Sequence, residues 1–221
     1  MNLSNRLQKI ASLVPKDVPA ADIGADHGLL ITYLIKNHII PYGYASDNKK
    51  GPYENLTSRI KEENLSSKIE TSLCDGLSNC DTKKYKTLII CGMGGDLIKN
   101  IIKNDEEKAK NATFLLLSPQ GCEFQLREYL LSIGFYPEKE EIVFEDHFYE
   151  ILLFSKNKKE LGELDLKYGY FLRREKSDVF KEKYISLIKI NEHILSNNLL
   201  VQEKRESLLK QNEEYYELIK E

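Results

Sequence analysis

Apolar residues along the chain follow two different periods. From residue 18 to 118, short β-branched or apolar runs alternate with longer amphipathic stretches, the rhythm of βαβ units around a parallel sheet. The runs Pro19–Ile23, Tyr42–Ser46, Ile69–Leu73, Thr87–Cys91 and Thr113–Leu117 are the expected strands. Next, Glu123–Ile133 predicts a helix that stops at Gly134, where glycine accepts the left-handed conformation that ends helices. Two further runs, Glu141–Glu145 and Tyr149–Ser155, lie so close together that an antiparallel pair is expected. From about Glu160 the period changes. Tyr184, Leu187, Ile188, Asn191, Ile194 and Leu195 keep 3-4 spacing, and Leu200, Leu208, Leu209, Tyr215, Tyr216 and Ile219 form a looser second set. Between the sets, Ser196-Asn197-Asn198 predicts a turn and so an antiparallel helical hairpin, a short coiled coil. The alternative is a helical extension lying flat on the sheet. The expected division is an α/β domain over 1–159 and a helical hairpin over 160–221.

Composition narrows the class. A chain of 221 residues holds one α/β domain and something smaller, and 41% hydrophobic with 30% charged residues is ordinary for a soluble globular protein. The longest apolar runs, Thr87–Cys91 and Phe114–Leu117, fall far short of the roughly 20 residues of a membrane span. Residues 1–10 mix Asn, Ser, Arg, Gln and Lys with apolar residues and lack the apolar block of a secretory signal. A cytoplasmic protein with no membrane contact is expected. Cysteines 74, 80, 91 and 122 form no C-x-x-C pair and no histidine stands at zinc-ligand spacing, so they are expected to be reduced, mostly buried thiols with no metal site. A net charge of −3 excludes a wholesale polyanion binder and leaves room only for a basic patch.

Candidate chemistry gathers in the turns after the five runs, where open α/β sheets bind ligands. The first turn, Ala21-Asp22-Ile23-Gly24-Ala25-Asp26-His27-Gly28, sets acids Asp22 and Asp26 beside Gly24 and Gly28, with His27 between. It is not G-x-G-x-x-G. A pyrophosphate cradle would avoid carboxylates, whereas an ammonium and a sulfonium are attracted by them, so the turn suits S-adenosylmethionine better than NAD. Asp26 alone could equally be a helix N-cap. Asp47-Asn48 closes the second run, 25 residues after Asp22, near the offset at which an acid grips ribose hydroxyls. Asp75-Gly76 closes the third, where methyltransferases hold the adenine ring; seen alone it is an Asp-Gly turn. Gly92-Met93-Gly94-Gly95 after the fourth could admit a target base with Met93 against its face, or could be a tight turn with a core methionine.

The parallel sheet closed by an antiparallel pair is like the class I methyltransferase sheet, and the motifs make the likeness specific. Leu3-Ser4-Asn5-Arg6-Leu7, the Ala21-to-Gly28 block, Asp75-Gly76-Leu77, Cys91-Gly92-Met93-Gly94-Gly95 and Tyr149-Glu150 resemble the bacterial tRNA adenine-22 N1-methyltransferase family, coiled-coil tail included. The resemblance spans essentially the whole chain, with its best motifs in residues 3–95. One departure stands out: where the family's fifth strand tends to end Gln-Pro-Asn, this chain has Ser118-Pro119-Gln120.

That resemblance implies a Rossmann-like seven-stranded sheet with an antiparallel final strand, S-adenosylmethionine as cofactor and tRNA as partner; a monomer is expected. It implies methylation of adenine N1, whose in-plane lone pair is free at neutral pH, so no general base is required and positioning supplies most of the catalysis. Asp26 and the backbone around Met93 are the candidates for stabilising the charge that passes to the ring. N1 lies on the Watson–Crick edge, so a paired or stacked target must be splayed out. Candidate RNA contacts are Arg6, Lys9, Gly95, Ser118, Pro119, Arg173, Arg174 and Lys181. The last three belong to a stretch, 166–190, with seven basic against three acidic residues, which reads equally as a phosphate track or a solvated helix face. The rival readings are an NAD-dependent oxidoreductase, which lacks its acid-free phosphate turn here, a non-catalytic RNA-binding protein with a vestigial donor pocket, and a methyltransferase acting on a small molecule or a protein.

Overall fold

A computed structural model describes residues 3–197 and 199–220. Asn198 of the expected hairpin turn lies outside the described residues. Strands β1 (Ala20–Ile23), β2 (Gly43–Asp47), β3 (Ile69–Leu73), β4 (Thr87–Met93) and β5 (Phe114–Pro119) run parallel, and β6 (Tyr136–Phe144) and β7 (Phe148–Ser155) complete a seven-stranded sheet of order β3-β2-β1-β4-β5-β7-β6. β7 is antiparallel to both β5 and β6, as expected for the class I sheet. β6 starts earlier than its apolar run suggests. Tyr136 opens it, followed by Pro137 and the charged Glu138 and Lys139, residues tolerated at a sheet edge, and its register shifts between Pro137 and Lys139.

The near-continuous apolar runs are explained by cover on both faces. Side chains alternate along each strand. Ala20, Ile89 and Leu116 pack under α1 (Asn5–Leu13), α2 (Leu29–Lys36) and α3 (Lys50–Glu62), while Ala21, Leu88, Ile90, Leu115 and Leu117 pack under α4 (Gly95–Asn104), α5 (Glu106–Asn111) and α6 (Glu123–Ser132). The helix α1 is started by Ser4, whose hydroxyl accepts from Leu7 N at 3.4 Å.

Short α7 (Glu163–Tyr168) and α8 (Leu172–Glu175) precede the long α9 (Asp178–Leu195) and α10 (Gln202–Ile219). α9 and α10 form the expected antiparallel hairpin, held inside by Asn191 donating to Asn212 at 2.8 Å and by Tyr184 against Tyr215 with ring centroids 5.1 Å apart. Its root is built onto the sheet: Phe180, Tyr184 and Ile188 share an apolar cluster with Ile142 of β6, Tyr168 and Leu172.

Beside that cluster lies a buried ionic joint. Arg127 of α6, only 2% exposed, donates to Glu140 of β6 at 2.8 Å and to Glu150 of β7 at 2.5 Å, and Lys183 of α9 reaches the second oxygen of Glu150 at 2.7 Å. Glu140 also accepts the Phe171 N–H at 2.8 Å. Burial pushes the Glu150 carboxyl up, but Lys183 and Arg127 outweigh it and hold it down at about 2. Removing one member would strand the others uncompensated in the interior.

Candidate functional site

The carboxyl ends of the parallel strands carry two adjoining hollows that share Gly24, Asp26 and Gly92. The larger, about 460 Å³, opens over β2, β3 and β4 and takes in Asp47, Asn48, Asp75, Gly76 and Met93. Its apolar wall is Leu97 and Ile101 of α4. The smaller, about 300 Å³, lies on the α1 side and takes in Asp22, His27, Cys91 and Arg6.

The turns that make these hollows are laced to one another. Gly24 (φ 73°) donates its N–H to Ser46 O at 2.8 Å, which seats the first turn on β2. Only glycine suits this point, because a Cβ would meet the Met93 Cε and the left-handed backbone disfavours one anyway. Asp47 accepts from Lys49 N at 2.9 Å and Asp26 N at 3.3 Å, and Asn48 donates to Asp75 at 3.3 Å. Carboxylates so held keep further lone pairs free for ligand hydroxyl or amino groups. Asp22, 5% exposed, makes no ion pair among the described residues, and burial pushes its carboxyl up to about 7.

Not every expected residue lines this region. Gly28 is outside both hollows; it starts α2 in the left-handed conformation and lies against Leu56. Since Gly28 is the N-cap, Asp26 is not; its side chain is 61% exposed beside His27, 3.6 Å away. Gly94 is the N-cap of α4, and Gly95 is buried against the Gly121 carbonyl, which its N–H reaches at 3.2 Å. Ser118 and Pro119 are also buried, because β5 continues to pair with β4 as far as Met93↔Pro119. These three were expected to face RNA and do not. Arg173 and Arg174 are both engaged by Asp165, at 2.8 and 2.6 Å, and Lys167 and Lys183 are paired with Glu214 and Glu150. Four of the seven basic residues in that stretch therefore serve the tail's own packing. Lys181 lines neither hollow, and Lys9 pairs with Glu141 at 3.4 Å. The cysteines depart from expectation too: Cys80 is buried, Cys74 and Cys91 half-buried, and Cys122 exposed in the turn before α6.

A third hollow, about 430 Å³, adjoins the same edge between the turn after β5 and the β6–β7 turn, lined by Gln120, Gly121, Asp146, His147, Phe148 and Tyr149. β6 runs parallel to β5, so this hairpin turn emerges at the ligand-binding edge. Phe144 stacks on Phe148 with centroids 4.9 Å apart, and Phe144 is 52% exposed. Arg6 lies over the Tyr149 ring, 4.6 Å from its centroid, which joins this hollow to the smaller one. The local sequence Phe144-Glu145-Asp146-His147-Phe148-Tyr149 held the signal in its aromatics, read from the sequence only as a strand connection.

A family profile described as a methyltransferase domain matches residues 3–152. The chain belongs to the methyltransferase-domain family. The matched span contains all three hollows of this methyltransferase and ends inside β7. Over its full length the chain is similar to the tRNA (adenine(22)-N(1))-methyltransferase of Bacillus subtilis (strain 168), 29% identical over 235 residues that cover 100% of this chain and 97% of the relative. Among solved structures it is similar to the B. subtilis m1A22 tRNA methyltransferase TrmK, 27% identical with a TM-score of 0.87 and 99% of each chain covered. It is similar also to M. capricolum TrmK in complex with the cofactor product S-adenosyl-homocysteine, 26% identical, TM-score 0.86, again 99% of each. These likenesses include the helical tail.

Proposed function

We propose that this methyltransferase transfers the methyl group of S-adenosylmethionine to N1 of an adenosine in tRNA, position 22 of the D-loop. The observation that carries the reading is the pair of joined hollows at the strand ends, acidic at one end and flanked by apolar side chains at the other, in a chain similar throughout to an enzyme of that name. Residues fit the donor group by group. Asp75 and the Leu97–Ile101 wall suit an adenine ring, Asp47 suits ribose hydroxyls, and buried, unpaired Asp22 suits an ammonium. Bound there, the donor supplies an electrophilic methyl on sulfonium sulfur. The chain's own work is then to place N1 in line and to keep water out, alignment being worth roughly 7–11 kcal/mol in well-oriented reactions. Asp26, exposed where the hollows join, would offset the positive charge that develops on the base.

The aromatic turn of β6–β7 supports the other half of the reading, since a splayed nucleotide can stack on His147 and Phe148 within reach of the donor. The division into a donor domain over 1–159 and an RNA-engaging hairpin over 160–221 belongs to the same proposal. So does action as a cytoplasmic monomer, checked by light scattering. The test is incubation with unmodified tRNA transcripts and labelled donor, then nuclease digestion and nucleoside mass spectrometry. N1-methyladenosine at one D-loop position is the expected result; donor binding with no transfer to any tRNA would overturn it.

A further inference from the structure

Polar bonds from the tail to the rest of the chain converge on one point. Among the described residues, those from 160–220 end on two carboxylates: Glu140 of β6 accepts the Phe171 N–H at 2.8 Å, and Glu150 of β7 accepts from Lys183 of α9 at 2.7 Å. Both carboxylates are held by the one guanidinium of Arg127 in α6. The elements that meet in this joint also wall the third hollow. The turn with Gln120 and Gly121 runs into α6, and His147, Phe148 and Tyr149 run into β7, where Glu150 is the next residue. Strand alternation sends Tyr149 toward Arg6 and Glu150 to the other face, toward Arg127 and Lys183. Lys183 bears on the other wall too. Burial opposes its charge, but Glu150 and then Glu123 outweigh that and hold its pKa above the ordinary lysine value. Glu123 in turn accepts the Gly121 N–H at 3.2 Å.

A buried ion pair adds little or nothing to stability over apolar side chains of the same volume, but its bonds are directional and fix one register. We propose that Lys183 is a positioning residue for the methyl transfer: from the tail it fixes β7 against the turn before α6, so that the seating of the tail decides the shape of the hollow that holds the target base. This rests on the tRNA reading under Proposed function. The tail then does more than present lysines to RNA phosphates. RNA engaged by the α9–α10 hairpin bears on the same joint that shapes the hollow, and the target nucleotide is gripped only when the two are in register. Lys183 lines none of the three hollows and acts through Glu150.

The experiment is single-turnover methyl transfer over a range of tRNA concentrations by wild type, Lys183→Met, Lys183→Arg and Lys183→Met combined with Glu150→Gln, with S-adenosylhomocysteine affinity measured by calorimetry. Lys183→Met is expected to lower the maximal rate by about 10- to 100-fold, the cost of a misplaced reacting atom, while half-saturation by tRNA and S-adenosylhomocysteine affinity stay within about twofold. Lys183→Arg should recover most of the rate, since it restores a cation to Glu150. The double variant strands no carboxylate, which guards against a single variant that fails to fold, and it should show the same fall in rate. A double variant that melts with wild type and keeps its maximal rate would overturn the proposal. So would weaker half-saturation at an unchanged maximal rate, the mark of a plain RNA contact, or a matching loss of S-adenosylhomocysteine affinity, the mark of general disorder. Wild type that binds S-adenosylhomocysteine but methylates no tRNA would instead sink the tRNA reading, and this inference with it.

Discussion

At the scale of single residues, the protonation of Asp22 is the most informative quantity. Burial raises its carboxyl from 3.8 to about 7, so in the free protein it is largely protonated at pH 6. A donor ammonium beside it favours the carboxylate and lowers that value. Binding below pH 7 must therefore release a proton, and donor affinity should rise with pH to about 7 and then level off. Titrations at pH 6 in buffers of differing ionisation enthalpy should detect the proton, and Asp22→Asn should abolish it. For the fold the sign is reversed: between 3.8 and 7 the folded state binds the proton more tightly than the unfolded chain, so Asp22 subtracts stability as pH rises through that window. Gly24 makes a second prediction. Gly24→Ala forces a left-handed alanine into the place of the Met93 methyl, and should weaken S-adenosylhomocysteine more than tenfold by calorimetry while the far-ultraviolet spectrum is unchanged. The turn acids and Gly24 were legible in the sequence because strand-end turns announce themselves by composition. Arg6 as a cleft residue was not, since nothing local says that α1 docks beside Asp22 and Cys91.

At the scale of elements, the β6–β7 hairpin and the tail root carry the tests. Replacing Phe148 or His147 with alanine should reduce kcat/KM for tRNA by about tenfold, as expected if each stacks on a base at about 1–3 kcal/mol, with S-adenosylhomocysteine affinity unmoved. A parallel loss of donor affinity would show the turn to be structural. Arg127→Met strands Glu140 and Glu150 and should destabilise the protein by about 3–5 kcal/mol in urea unfolding at pH 7. Glu150 also sets an acid limit. Lys183 and Arg127 overcome burial to depress its carboxyl from 4.5 to about 2, so its contribution is present in full above 4.5 and is lost as pH falls toward 2. Glu150→Gln should accordingly shrink the loss of stability across that interval. The β6 boundary is misread from the sequence for a related reason: Glu140 is buried within the strand as a charge held by Arg127, and an apolar-run criterion cannot see a buried glutamate.

At the scale of the whole molecule, the basic stretch in 166–190 divides into residues that hold the tail and residues left for a partner. Lys181 and Lys189 make no ion pair among the described residues, whereas Arg174 is bound to Asp165 and stacked on Tyr170, 3.7 Å from its centroid. Charge reversal at both lysines should weaken tRNA binding and flatten its salt dependence by a slope of roughly 2, while Arg174→Ala should lower thermal stability and leave that slope alone. Equal slopes in all variants would show that the hairpin takes no part in RNA binding.

What the sequence determined by itself follows from periods and turn chemistry: five parallel strands, the closing antiparallel pair, a two-helix tail and an acidic, glycine-bearing ligand edge. Each is local, because a strand's alternation or a turn's glycine is dictated within a few residues of itself. What only the tertiary structure decided is which charges are spent and which are free. Arg173, Arg174, Ser118 and Gly95 looked available and are consumed by packing, whereas Arg6 and the aromatics of 144–149 are brought to the ligand edge from opposite ends of the methyltransferase domain. Ion pairing and burial depend on how the chain folds back on itself, whether the partners are more than a hundred residues apart, as with Lys9 and Glu141, or brought together across the α7–α8 turn, as with Asp165 and Arg173.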